Sequence, residues 1–504
     1  MVKEPVFNNI NGLEMSLSQE STQNDVFTFK IKLTAEIQEE MTKEDILCSW
    51  KFPFLDCAGV WYPNCGFNRS VNADWDGFCQ SMTANSAPVL ALFSEDNMNR
   101  ITIAVSETME TIRMKAGIHE EDGTLLLQVA IPSGYVKTKT ECNFSIRLDV
   151  RPIPFYDAIA GVSQWWEKEC GIVPIEPGSN TREPVYSTWY SFHQNLKQEE
   201  IEEECKRAAE LGFGTVILDD GWQTDDNNRG YAYCGDWEVS KNRFPDFAHH
   251  VERVHSLGMN YMIWYSVPFV GSSSNSWEMF QDKLLTYNEA LKAGVLDPRY
   301  PQVREYLISI YEKALKEWGV DGFKMDFIDQ IAERENSAKV NEQMDKESVQ
   351  EALDVLMSEI YRRLSAIKPE VMIEFRQRYI GPNMRKYANM FRVTDCPGSA
   401  ISNRVGIVDL RILSGNTTVH SDPLMWHANE EPRIAALQII SSIFSTVQIS
   451  VKLKDITASM KKMIDYWVKF MMKYKEILQG YQIKPMEPHN LYPEVWTGDE
   501  NTGI

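Results

Sequence analysis

Gly322-Phe323-Lys324-Met325-Asp326-Phe327-Ile328 is the stretch on which the reading of this chain turns. It reads as a short apolar strand interrupted by two charges. Lys324 and Asp326 stand two residues apart, so in an extended chain they share one face while apolar residues occupy the other. A cation and an anion on the inner face of an otherwise apolar strand need a partner or a purpose.

Working outward, the same texture repeats. Short apolar strands are predicted at 185–191, 215–222, 260–267, 322–328, 371–376, 390–395, 417–424 and 446–451, and amphipathic helices follow them. The clearest helices are 198–211, 300–318, 346–367, 432–444 and 459–478. Alternation of this kind is the mark of parallel βα units. Alternation alone leaves a doubly wound open sheet as the competitor, but eight units in roughly 295 residues is barrel size.

Before residue 150 the pattern differs. Stretches 26–33, 89–93, 100–105, 125–131 and 144–150 are rich in β-branched and aromatic residues and bounded by turn formers, which suggests a β-sandwich. A Trp-rich helical stretch, 156–168, leads to the linker Ile175-Glu-Pro-Gly-Ser-Asn180, where composition shifts. The expected organisation is a sandwich with linking helix over 1–174 and a (β/α)8 TIM barrel over 175–479. Residues 480–504 then start a C-terminal β domain of which only a stub is present.

The bulk numbers narrow the chemistry. With 504 residues there is room for two or three domains, and a net charge of −21 disfavours nucleic acid and anionic membrane surfaces as partners. No uncharged apolar run is long enough to span a bilayer, and the N-terminus lacks the apolar core of a signal peptide. Nine cysteines, an odd count without a C-x-x-C pair, fit reduced thiols in a cytoplasm better than a disulfide framework or zinc ribbon. His249, His250 and His255 read as a hydrated helix face, not a metal site. His193, His420 and His427 sit near strand ends and are candidates to line a pocket. Gly212-Phe-Gly214 lacks the third glycine of a dinucleotide fingerprint, and no Walker sequence occurs. No cofactor and no metal are expected.

In a barrel the site is assembled where strands end. Three ends stand out: Asp219-Asp220-Gly221-Trp222, Lys324-Met-Asp326 and Arg392-Val-Thr-Asp395. Carboxylates and Lys suit the hydroxyls of a sugar, and Trp its apolar face. Glycosidic bond cleavage needs one carboxyl to protonate the leaving oxygen and another to attack or stabilise the anomeric carbon. Asp326 and Asp395 are the candidates for that pair. Lys324 would keep Asp326 ionised, and a drier, more anionic setting would hold Asp395 protonated. Each piece also has a plainer reading. Asp219 or Asp395 alone suits a helix N-cap, Lys324 and Asp326 suit a buried ion pair, and Trp189, Trp222, Trp237 and Trp264 suit a core.

Taken together these residues resemble the melibiase-type α-galactosidases, glycoside hydrolase family 36, from about Val185 to Gly480. The resemblance rests on Leu218-Asp219-Asp220-Gly221-Trp222, Gly235-Asp236-Trp237 with Phe244-Pro245, Gly322-Phe-Lys324-Met-Asp326 and Arg392-Val-Thr-Asp395. It implies a retaining, exo-acting enzyme on terminal α-galactosides, with Asp326 matching the nucleophile and Asp395 the acid/base. Asp219 and Asp220 match the pair that grips the 4- and 6-hydroxyls, Trp264 an aromatic against the sugar, and Lys324 and Arg404 basic pocket residues. Trp189, Trp222 and Arg392 complete the expected binding set. Where many relatives carry a Cys and a Gly-rich stretch near the 2-position, this chain has Glu374-Phe-Arg376-Gln377. Glu374 and Arg376 therefore join the candidates, and an α-N-acetylgalactosaminide or a modified galactoside stays open. So do transglycosylation and a catalytically silent sugar-binding module. The resemblance also implies a dimer or tetramer, with Trp61 or Asp74-Trp75 of the sandwich reaching a neighbour's pocket.

Overall fold

In the computed structural model the described residues are 4–22, 25–35, 44–53, 56–139, 141–499 and 501–504. The N-terminal part is a pair of packed sheets. One runs, in spatial order, through Val6–Asn8, Ile46–Pro53, Thr124–Ile131, Ile112–His119 and Asn72–Ala73. The other runs through Leu13–Thr22, Val26–Ala35, Glu141–Asp149, Asn99–Val105, Val89–Phe93 and Gly59–Trp61. Alternation decides which face is inside: in Val26–Ala35 the residues Phe29, Ile31 and Leu33 are buried while Lys30 and Lys32 face water. They meet Trp50, Leu127 and Val129 of the opposite sheet, Phe29 and Trp50 lying 5.5 Å apart between ring centroids.

The helix Phe155–Glu169 then carries the chain to a parallel barrel of strands β1 (Val185–Ser187), β2 (Thr215–Leu218), β3 (Asn260–Ser266), β4 (Gly322–Asp326), β5 (Met372–Arg376), β6 (Met390–Arg392), β7 (Thr418–His420) and β8 (Gln448–Ile449). Each of β1 to β7 pairs with its sequence neighbour, β8 pairs with β1, and bridges His420–Thr446 and Leu424–Ile449 nearly close the ring between β7 and β8. All eight strands expected from the sequence are present. The 215–222 strand is shorter than expected because Gly221, at φ 116°, turns the chain just past its end. The 300–318 helix is α-helical to Lys313 and continues as a π turn over Ala314–Trp318, stopped by left-handed Gly319. A three-stranded excursion, Phe269–Gly271, Leu284–Asn288 and Ala293–Leu296, follows β3 and was not anticipated.

Strand register sorts the barrel interior into layers. At the floor, Val185, Ile217, Met262, Met372 and Met390 form a small apolar cluster, one residue from each of five strands. Gly322 belongs to the same level, where a Cβ would lie 2.3 Å from the Met372 carbonyl oxygen. One inward step up, apolar gives way to polar: Asp219, Trp264, Lys324, Glu374, Arg392 and His420 follow two residues later on their strands or in register with them, and the Gln448 side chain reaches this level to donate to Glu374.

Sandwich, barrel and C-terminal segment share one apolar seam containing Trp61, Phe155, Ile159, Trp166, Val405, Val408, Ile483 and Tyr492. At its centre the Asp409 carboxylate accepts hydrogen bonds from Trp61 Nε1 (2.7 Å), Arg69 Nη2 (3.0 and 3.1 Å) and Tyr492 Oη (2.7 Å). Trp61, with 0% exposure, is thus a seam residue and does not reach outward as expected, whereas Trp75 is exposed. Residues 480–504 contain a hairpin, Ile483–Met486 with Glu494–Thr497, packed against this seam.

Candidate active site

Asp326 closes β4, and its carboxylate is held from several sides. Arg376 Nε (2.7 Å), Tyr379 Oη (3.2 Å) and the Phe327 backbone N–H (2.8 Å) donate to Oδ1, and Trp264 Nε1 (3.1 Å) donates to Oδ2. Burial would favour the protonated acid, but the Arg376 guanidinium and the Lys324 ammonium outweigh it and hold Asp326 well below the usual carboxylate range. Phe327, the donor of the backbone hydrogen bond, has φ 64°, an uncommon conformation for an aromatic residue placed where the strand must turn away behind the carboxylate.

Lys324, one step deeper on the same strand face, donates to Asp219 Oδ2 at 2.6 Å. Both groups are buried. Burial pushes Asp219 up, against the pull of Lys324, while burial lowers Lys324 and Asp219 raises it past its ordinary value. Asp220 beside them accepts from Gln223 Nε2 (2.8 Å) and Gln194 Nε2 (2.7 Å), and burial raises it to about 6. Asp219, Asp220, Lys324, Asp326, Trp264 and Arg376 therefore come together on adjacent strands of one barrel mouth.

Asp395 follows β6, its side chain 53% exposed, near enough for the charges of Lys324 and Asp326 to act on it. Arg392 Nη2 donates to its Oδ1 at 2.9 Å. Partial burial raises Asp395, but Arg392 and then Lys324 draw it below the ordinary value, with Asp326 opposing. The expectation of a dry, protonated Asp395 is corrected: the buried guanidinium favours its ionised form. Asp395 also borders a cleft of about 440 Å³ whose walls come from both parts of the chain, with Asn64 and exposed Phe67 on the sandwich and Gln377, Arg378 and Ser402 on the barrel.

Other expected site residues lie elsewhere. Trp222 is fully buried in the layer between strands and helices, its indole donating to the Trp264 carbonyl (2.9 Å) and stacked on Trp237 (5.9 Å). Arg404 points to the C-terminal segment, donating to the Leu491 carbonyl (3.1 Å). Glu374 is enclosed in the polar layer, accepting from Gln448 Nε2 (2.5 Å) and lying 3.3 Å from His420 Nδ1 and 3.6 Å from Arg392 Nε. Trp189 stands after β1, half-buried, edge-on to His193 at 4.6 Å. His427 is exposed, and His250 is buried between Glu202 (2.8 Å) and Tyr261 (3.0 Å), so it is not part of a hydrated face. Among the described residues no group of three or more His, Cys, Asp or Glu is arranged to hold a metal, and no helix is long and apolar enough to cross a membrane. Cys48, Cys57, Cys65, Cys79, Cys170, Cys205, Cys234 and Cys396 are free thiols.

Several contributors were not singled out from the sequence. Tyr379 and Gln194 sit in loops with no periodic signal. Asp422 is different: it ends the β7 run two residues after His420, the strand-end rule that found Asp326. Its carboxylate accepts from Arg392, from Tyr190 Oη (2.9 Å) and from the Cys396 N–H (2.8 Å), and burial raises it to about 6.

A two-sheet sandwich leads into a parallel barrel, with carboxylates, a lysine and an indole gathered where the strands end, the place at which a barrel assembles its site. Residues 175–403 match the Melibiase family model. The chain is similar to an α-galactosidase of Escherichia coli, 27% identical over 177 residues, 34% of this chain and 25% of that protein. It is also similar to α-galactosidase AgaA of Geobacillus stearothermophilus, 26% identical over 162 residues, 31% of this chain and 22% of that one. The alignments thus span about a quarter of these relatives' length. In fold, the chain superposes on the crystal structure of an AgaA variant in complex with raffinose with a TM-score of 0.70 at 16% identity, covering 97% of this chain and 72% of that one. It superposes on the Thermus thermophilus α-galactosidase in complex with stachyose with a TM-score of 0.61 at 15% identity, covering 90% and 99%.

Proposed function

We propose that the protein is a retaining α-galactosidase that releases terminal α-galactose from raffinose-type oligosaccharides in a cytoplasm, its site lying in a barrel of residues 175–479 flanked by a sandwich (1–174) and a C-terminal segment (480–504). The observation that carries this reading is the Asp326 carboxylate, held ionised at the end of β4 beside the Lys324–Asp219 pair, with a second carboxyl, Asp395, within reach of the same charges.

In the first step Asp326 attacks the anomeric carbon as Asp395 gives a proton to the departing glycosidic oxygen. In the second, Asp395 takes a proton from water, which displaces Asp326 and leaves galactose with its original anomeric configuration. Asp219 and Asp220 accept hydrogen bonds from ring hydroxyls, and Trp264 offers an apolar face. Arg376 and Tyr379 orient the nucleophile, and the raffinose and stachyose held by the two similar barrels are in keeping with a galactose-terminated substrate.

A catalytically silent sugar-binding barrel is favoured by one feature, the occupation of Asp326 by four donors. A panel of p-nitrophenyl α-galactoside, α-N-acetylgalactosaminide and α-glucoside separates the readings. Release from the galactoside supports the proposal, release chiefly from the N-acetyl sugar redirects it, and no release from any member favours the silent barrel.

A further inference from the structure

Arg392 is a single buried cation among three carboxylates. It donates to Asp395 through Nη2 (2.9 Å) and to Asp422 through Nη1, and lies 3.6 Å from Glu374, while its Nε–H has no hydrogen-bond acceptor. The two aspartates that share it are unlike. Asp395 opens onto the cleft with a half-exposed side chain, whereas Asp422 has no exposure. Asp422 is also immobilised: its N–H donates to Asn403 Oδ1 (3.0 Å) and its carbonyl accepts from Asn403 Nδ2 (3.1 Å). Taken alone, the Arg392–Asp395 ion pair is wrong for a group that must carry a proton to a leaving oxygen, because a neighbouring guanidinium stabilises the anion.

We infer that Asp422 is a positioning residue that competes with Asp395 for Arg392, and that its negative charge keeps Arg392 from drawing the Asp395 proton affinity as low as an undivided guanidinium would. The inference rests on the reading of Asp395 as acid/base. With Asp422 ionised, one guanidinium is divided between two anions, and the added negative charge close to Asp395 raises the latter's proton affinity. Tyr190 Oη and the Cys396 N–H, both on the far Asp422 oxygen, favour the ionised form against burial, which raises Asp422 to about 6, so its charge is present at neutral pH and lost below about 6. The charged or titratable groups facing the pair are Arg392, Lys324, Asp326, Glu374, Tyr190 and the Cys396 thiol. Lys324 is engaged by Asp219, so Arg392 is the cation that Asp422 can divert.

The test compares two substrates across pH, a galactosyl disaccharide whose departing sugar needs the acid and 2,4-dinitrophenyl α-galactoside whose leaving group does not. For D422N, loss of the negative charge leaves Arg392 to Asp395, so the basic limb of kcat/KM for the disaccharide moves down by about one pH unit. At neutral pH that is roughly a tenfold loss. The dinitrophenyl substrate keeps its rate within about twofold. Y190F, which leaves the carboxylate and removes one of its donors, shifts the same limb in the same direction by less. Equal losses on both substrates without movement of the limb, in both variants, would assign Asp422 a structural role and overturn the inference. D395N separates this failure from that of the acid/base reading: if D395N discriminates between the substrates and D422N does not, only the inference falls. If D395N loses both substrates alike, the acid role falls with it.

Discussion

Lys324 on β4 and Asp219 at the end of β2 are joined by a 2.6 Å hydrogen bond inside the barrel mouth, across the intervening strand β3. Both side chains are almost wholly out of water, so solvent cannot take the place of either partner. Removing one leaves the other uncompensated. K324M is expected to lower unfolding free energy by about 3–5 kcal/mol, read from urea denaturation. The K324M/D219N double variant should recover part of that loss, and additive losses would contradict the pairing.

Arg376 is expected to set the acidic limit of activity. It donates to Asp326 at 2.7 Å and is the leading cation holding that carboxyl low. R376Q should raise the Asp326 value, so the acidic limb of kcat/KM moves up. The folding linkage has the same sign. A carboxyl depressed in the folded state contributes stability that is present above the unfolded value of about 3.9 and lost as pH falls through the folded value. R376Q should therefore flatten the acid-denaturation curve below about pH 4. An unmoved acidic limb would contradict the assignment.

Asp220 titrates in the opposite sense. Burial raises it to about 6, so it is protonated in the fold below that pH and its contribution to folding is lost as pH rises through it. As an ionised acceptor it should hold galactose hydroxyls best above pH 6. Competitive inhibition by galactose is expected to weaken as pH falls from 7 to 5. D220N should bind galactose more weakly throughout and lose that pH dependence.

The Asp409 hub ties sandwich, barrel and C-terminal segment together. Y492F removes one donor from a buried carboxylate and should cost about 1–3 kcal/mol. D409A leaves the buried Arg69 unpaired and should cost about 3–5 kcal/mol, read by thermal or urea unfolding. Losses within about 0.5 kcal/mol would contradict the view that the seam is integral to folding.

How much of this was legible in the sequence depends on what each signal encodes. Periodicity encodes faces and element type, which is why all eight barrel strands and the alternation in Val26–Ala35 could be read. Lys324 and Asp326 were placed on one inward face because two residues of separation leaves no other choice in a strand. Beyond a strand's end that logic stops. Asp220 and Trp222 are also two apart, yet Gly221 adopts φ 116° at a point where a Cβ would lie 2.5 Å from Gln194 Cα, and the turn sends Trp222 into the helix layer. Arg404 sits on the helix Ala400–Arg411, and the C-terminal segment that claims its guanidinium is remote in sequence. The state of Asp395 was misjudged for a similar reason: Arg392 was recognised as a neighbour in sequence, but its donation to the Asp395 carboxylate exists only once the chain has turned past the end of β6.

The central claim, that Asp326 forms the covalent link to the sugar, is tested most directly by trapping. The protein would be incubated with 5-fluoro-α-galactosyl fluoride, digested, and its peptides mapped by mass spectrometry. The account expects a single fluorogalactosyl adduct on Asp326, absent from D326N. An adduct on another carboxylate, or none while the wild-type protein still turns over p-nitrophenyl α-galactoside, would contradict it.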